Sequence, residues 1–272
     1  MILDERSTAA PALVAGPDSV WLGWTGGDTR LNLLSRRDGR EFGDKSTLDE
    51  RSYRTQTHST GTGTAGSTTK TVALAPALAV PSRGVLHLAW TGGDGRLNLL
   101  GLAGSKATLE ETSHVAPALA AVGSELALAW TGTDGRLNIA VSEDGRFGPP
   151  LTLDETSNQA PALCWSAGNL VLAWTGTDRY LNLLTGDGRI FGAPTMLDER
   201  SDDGPALAAT PHGLAIAWTG GDRRVNVLVG ERHEILDAKS SVAPALCILT
   251  GELLVAWTGT DRRLNIAPVA SS

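Results

Sequence analysis

The chain has 272 residues, 23 basic against 30 acidic side chains for a net charge of -7, and 32 glycines with 13 prolines. The acidic balance excludes the basic surface with which proteins replace phosphate counterions on nucleic acid, and two cysteines cannot form a disulfide scaffold. No apolar run approaches the roughly 18 to 20 residues that span a bilayer. The opening MILDERSTAAPAL lacks the basic and apolar regions of a secretory signal, so the expected location is the cytoplasm, or the chain is a segment of a larger or processed protein.

In chain order the first element is Ile2 to Ser7, a short extended run. Its pattern of Leu, an acidic stretch and Ser returns at Leu48, Leu109, Leu153, Leu197 and Leu236 after its first appearance at Leu3. Pro-Ala-Leu follows at Pro11 and recurs at Pro76, Pro117, Pro161, Pro205 and Pro244. A third phrase, Trp-Thr-Gly-[Gly/Thr]-Asp, begins at Trp24, Trp90, Trp130, Trp174, Trp218 and Trp257, at spacings of 66, 40, 44, 44 and 39 residues. Three independent markers each count to six, the signature of a repeat architecture.

One unit, residues 116 to 157, shows what is repeated. Leu126, Leu128 and Trp130 alternate with Ala127 and Ala129, a strand apolar on both faces and so buried between two layers. TGTDGR is a turn, LNIAV a further strand, DGRFGPP a second turn and LTLDET a last strand. With Pro-Ala-Leu as the innermost strand, each unit has four short strands, here a to d from the inside outward. Six such units predict an all-β protein, one six-bladed β-propeller of four-stranded antiparallel blades over residues 1 to 272. The last unit stops before any strand d, and Ile2 to Ser7 is a strand d without a blade, so the N-terminal strand is expected to close the ring.

Parity in an antiparallel meander puts the b–c turns and the d-to-a linkers on one face. The DGRxFG turns at Asp38, Asp144 and Asp187 fall on the other. Residues 53–72 interrupt the repeat with a Ser-, Thr- and Gly-rich stretch, expected to be a mobile insertion without a core of its own, or alternatively a lid over a central pocket.

The motif SEDGRFG at Ser142 to Gly148 resembles the Asp box that bacterial sialidase-like propellers carry on the same c–d hairpin, although one residue between Asp and Gly is missing and Phe147 stands where the box has Trp. The resemblance implies the propeller fold. It does not carry over the chemistry: a sialidase-type site needs three clamping arginines, a Tyr nucleophile paired with Glu, and an acidic proton donor. The two tyrosines, Tyr53 in the insertion and Tyr180 in a b–c turn, stand in no such setting.

Catalysis needs an asymmetric set of groups, whereas the polar residues here repeat from blade to blade. The reading is therefore a noncatalytic module without cofactor or metal. Its candidate ligand-binding residues are Arg30, Arg96, Arg136, Tyr180, Arg224 and Arg263 at the b–c turns, with Asp94, Asp134 and the nonrepeated Trp165. The turn aspartates and following asparagines also fit a purely structural role, as do the repeated tryptophans between blades. The arginines fit pairing with linker carboxylates such as Asp154. The expected function is lectin-like, with repeated carbohydrate sites on the b–c face and glycans or glycoconjugates as partners. A protein-interaction scaffold is the alternative, and a glycosidase with one central site a third.

Overall fold

A computed structural model describes residues 1–37, 41–43, 45–60 and 66–270. The innermost strands of blades 1 to 6 are Ala12–Ala15, Ala77–Ala79, Ala118–Val122, Ala162–Ser166, Ala206–Thr210 and Ala245–Leu249. Each packs against the next, and the last packs against the first, which closes the ring. Every blade is built on a four-stranded antiparallel meander, to which blade 3 adds the two-residue strand Arg146–Phe147. Blade 3, with strands Ala118–Val122, Glu125–Thr131, Arg136–Glu143 and Leu151–Thr156, is typical. All of Leu126 to Thr131 in its strand b is buried, as the double apolar alternation requires.

The sixth blade takes its strand d from the other end of the chain. Ile2–Arg6 pairs antiparallel with Arg263–Pro268, in the register Ile2 to Asn265 and Arg6 to Arg263. The backbone nitrogen of Met1 donates to Ile266 O at 2.7 Å, and Ile266 N donates to Met1 O at 3.0 Å.

The repeated tryptophan is the hinge of inter-blade packing. Trp130 lies among Ala79, Ala89 and Leu97 of blade 2. Trp174 packs on Ala129, Leu137 and Ile139 of blade 3, and Trp24 on Ala256, Leu264 and Ile266 of blade 6. Each ring thus leans on the preceding blade. Five of the six are buried, with Trp257 only partly so.

The repeated serine and threonine latch the blades on the face of the b–c turns. Ser157 Oγ, at the end of blade 3, donates to Thr175 O of blade 4 at 2.8 Å, while Thr175 Oγ1 donates to Asp203 O in the next linker at 2.6 Å. The pattern repeats at Ser7 with Thr25 O and at Ser201 with Thr219 O, both 2.9 Å. Thr258 Oγ1 of blade 6 donates to Ala9 O, a further bond across the closure.

The insertion shows more local structure than its composition suggests. Residues 53–72, expected to be a mobile insertion without a core of its own or a lid, contain a β-hairpin: Tyr53–Thr60 pairs with Gly66–Ala73 from Tyr53 opposite Ala73 to Thr60 opposite Gly66. Its composition resembles a linker, but threonine is β-branched and suits extended pairing, and eight paired positions satisfy the backbone without a core. The Asp-box-like SEDGRFG is a two-residue hairpin turn. Asp144 and Gly145 take φ of 53° and 75° between Glu143 and Arg146, the conformation for which Asp-Gly is favoured. The DGRxFG turn expected at Asp38 lies outside the described residues.

Candidate functional site

The six b–c turns share one hydrogen-bond plan. In blade 3, Asp134 Oδ1 accepts from Arg136 N at 3.0 Å, and Asn138 Nδ2 donates to Arg136 O at 3.0 Å. Asp94 does the same for Arg96 N at 3.0 Å. A Cβ on Gly132 would lie 2.7 Å from Asp134 Oδ1 and 3.1 Å from Asn138 Nδ2, so glycine opens every copy of the phrase for steric reasons. The linker serine closes the plan, since Ser157 N donates to Gly135 O at 2.9 Å, with equivalents in all six blades. Turns and linkers therefore share a face, as parity required.

The arginine after each aspartate faces a bulge in strand d. Arg136 pairs with Thr156 and Asn138 with Thr152, so strand d spends two extra residues at its acidic stretch. The same shift occurs in every blade. A bulge frees main-chain groups, and the guanidinium takes one of them: Arg136 Nε donates to Leu153 O at 2.9 Å and Arg96 Nε to Leu109 O at 3.1 Å. Arg136 also pairs with Asp154 at 2.6 Å, Arg263 with Asp4 at 3.5 Å, Arg30 with Asp49 at 3.6 Å, and Arg224 with Asp222 at 3.8 Å. These arginine side chains stay 40% to 47% exposed. In blade 4 the position is Tyr180, whose ring lies under Arg200 at 4.0 Å and whose hydroxyl accepts from Arg200 Nη2. The structure thus gathers Arg30, Arg96, Arg136, Tyr180, Arg224, Arg263, Asp94 and Asp134 on one face, one or two per blade.

Trp165 is elsewhere. It pairs with Leu170 beside the a–b turn, on the opposite face, and packs partly buried into the core between blades 3 and 4.

That opposite face holds clefts between blades which no contiguous motif announces. Between blades 5 and 6 a cavity of about 200 Å³ is walled by Val227, Val229, Ile248 and Leu253, with His212, Arg232 and Glu234 alongside. Between blades 2 and 3, Arg83, His87, Glu125 and Ser142 share a cleft with Leu99 and Phe147. Glu125 accepts from Ser142 Oγ at 2.6 Å and Gly145 N at 3.2 Å. These bonds, Ser142 first, hold its carboxyl below the ordinary glutamate range. Between blades 3 and 4, Arg189 pairs with Glu143 beside Phe147, Pro149 and Pro150. The amides of Ile190 and Arg189 hold the Asp187 carboxyl low.

Cys164 and Cys247 are free and buried, and burial pushes both thiols up to about 12. They stay protonated, and a thiol rather than a thiolate is a poor nucleophile.

Asp203, in the linker into blade 5, is an acid whose surroundings disfavour its charge. Burial raises its carboxyl above the ordinary range, Gly204 N and Ala243 N pull it back, and Asp202 adds repulsion. Ionisation is thus easier in the unfolded chain, so the group opposes folding above its native pKa and ceases to below the ordinary value of about 3.9. Asp203→Asn is expected to raise the melting temperature at pH 7, with a gain over the parent that shrinks by pH 4. Equal melting temperatures at both pH values would remove this account.

No family model and no curated protein matches the sequence. Solved structures do match. A fungal lectin from Aleuria aurantia, described as a six-bladed β-propeller with a novel fucose recognition mode, aligns with a TM-score of 0.69 at 10% identity over 100% of this chain and 94% of that one. SapL1 lectin in complex with alpha methyl fucoside aligns at 0.67 and 14% identity, over 98% and 95%. BP39L lectin from Burkholderia pseudomallei aligns at 0.64 and 15% identity, over 94% and 79%. At such identities the likeness speaks for the fold.

Proposed function

We propose that this propeller is a noncatalytic, lectin-like module that binds glycans at several weak sites on one rigid disc. The observation that carries it is the set of half-buried to exposed side chains recurring on the b–c face, Arg30, Arg96, Arg136, Arg224 and Arg263 with Tyr180 in blade 4, each opposite the acidic bulge of strand d. A held guanidinium with a neighbouring carboxylate offers donors and an acceptor to vicinal hydroxyls, and an array of such sites gains avidity on a multivalent surface. The similar lectins lend support, and two of them, described with fucose or a fucoside, make fucosylated glycans the first to test. Noncatalytic describes the same repetition: these groups have one role six times over rather than distinct roles in one place. For the wider kinship of the repeat, a sialidase-like origin stays a proposal resting on SEDGRFG alone.

A second placement is favoured by the clefts of the opposite face, where an arginine and a carboxylate adjoin apolar walls against which a sugar ring could pack. A glycan array at physiological salt decides between the two. Binding lost in an Arg136→Ala, Arg224→Ala double variant places the sites on the b–c face, and binding lost only in Arg232→Ala with Phe147→Ala places them in the clefts. A blank array would sink the lectin reading for the printed glycans and favour a protein partner.

A further inference from the structure

One blade of the b–c face differs from the rest. The chain leaves blade 1 through Ser52 into the hairpin, and Tyr53 is placed between two turns. On one side it rests on Gly93 of blade 2, where an added Cβ would come within 2.3 Å of Tyr53 Cζ. Three of the six turns carry threonine at this position (Thr133, Thr177 and Thr260), so the glycine is what admits the ring. On its other side Tyr53 lines a groove of about 490 Å³ with Thr8, Asp28, Thr29, Arg51 and Thr71.

One of the groove's hydrogen-bonding side chains is tied in place and most of the others are unused. Arg51 Nη1 donates to Asp28 O and to Thr29 Oγ1, the latter at 3.1 Å, which holds the guanidinium in place. Asp28 Oδ1 accepts from Arg30 N at 3.1 Å. Among the described residues nothing bonds Asp28 Oδ2, Tyr53 Oη or the hydroxyls of Thr8 and Thr71. One guanidinium and one carboxylate cancel in charge, which suits a neutral ligand. An aromatic ring beside alternating donors and acceptors suits the apolar face and vicinal hydroxyls of a sugar.

The geometry points to a single neutral-saccharide site in this groove, separate from the sixfold array and built by the hairpin. It rests on the carbohydrate-binding reading above, but joins repeated groups, Asp28 and Arg51, to Tyr53 and Thr71 of a hairpin found once. Where the repeated positions give equivalent weak contacts, this one adds an aromatic wall, unlike Tyr180 of blade 4, whose ring and hydroxyl are taken by Arg200, and so a preferred point of attachment.

The test is a titration of the ¹⁵N-labelled protein with methyl α-L-fucoside, methyl β-D-galactoside and methyl α-D-mannoside. The amides of Gly27 and Ala73 report the groove, and those of Gly132 and Gly176 the repeated turns. Saturable shifts at Gly27 and Ala73 with one of these sugars are expected. They should weaken about tenfold, the equivalent of 1.4 kcal/mol, in Tyr53→Ala and in Gly93→Thr, with any shifts at Gly132 unchanged. Gly93→Thr installs the residue three sister turns already hold, so folding is preserved while the ring is displaced. Shifts at Gly132 and Gly176 without any at Gly27 or Ala73 would overturn the groove site and leave the lectin reading standing. Shifts in the groove alone would uphold this site and count against the array. Groove shifts indifferent to both substitutions would overturn the role of Tyr53, and silence at every amide would overturn the site and weigh against the lectin reading too.

Discussion

Removing Met1 to Ser7 is expected to lower the unfolding free energy by about 5 kcal/mol, far beyond what seven exposed terminal residues would contribute. The segment supplies the whole outer strand of blade 6. It makes two main-chain bonds between Met1 and Ile266, one from Ser7 N to Arg262 O, and side-chain bonds from Ser7 to Thr25 O and Arg6 to Asp261 O. At about 1 kcal/mol net for each of these five bonds, the loss is comparable with the total stability of many domains. Leu3, packed against the core between blades 6 and 1, adds an apolar contribution. Deletion also bares the edge of Arg263–Pro268, a template for pairing with another chain. Urea denaturation should show the drop, and light scattering should rise with concentration. A truncated protein that melts within about 1 kcal/mol of the parent and stays monodisperse would show that the ring closes without the strand.

The closure was legible because it is a counting matter: six units need six outer strands, and the pattern at Leu3 had no blade of its own. The face of the b–c turns was likewise legible from strand parity, and parity would also have placed Trp165 correctly, since it ends an innermost strand at the a–b turn. The hairpin was not legible. Its threonines have the composition of a linker, while what decides its structure is pairing between two strands with no apolar signal. The contact of Tyr53 with Gly93 joins residues far apart in sequence. Its one trace is the choice of glycine over threonine in a turn, which has meaning only once the ring is seen. The inter-blade clefts were hidden for the same reason, because each borrows walls from two units. The arginines were visible as a repeat, but their attachment to the bulge in strand d was not. A bulge shows in register rather than in sequence.

The repeated tryptophan gives the second large effect, and it separates two roles that one residue could have. If the ring is packing, Trp130→Ala removes a side chain wedged among Ala79, Ala89 and Leu97 of the neighbouring blade. The loss should be about 3 to 5 kcal/mol, as for buried aromatics elsewhere. The small residues around it worsen the outcome, because alanines have little side chain with which to refill the space. The same substitution at Trp257, partly exposed, should remove less, so the two variants together form an internal control. Urea denaturation followed by circular dichroism measures both without depending on the deleted fluorophore. If instead the rings served chiefly to stack on a ligand, Trp130→Ala would leave the denaturation midpoint nearly unchanged and abolish binding. The structure favours the first outcome, since a ring that leaves only 3% of its surface to solvent has no face to offer a sugar. Under the proposed function, binding then falls to groups that remain exposed: the arginines of the b–c turns, the inter-blade clefts and the single tyrosine carried in by the hairpin.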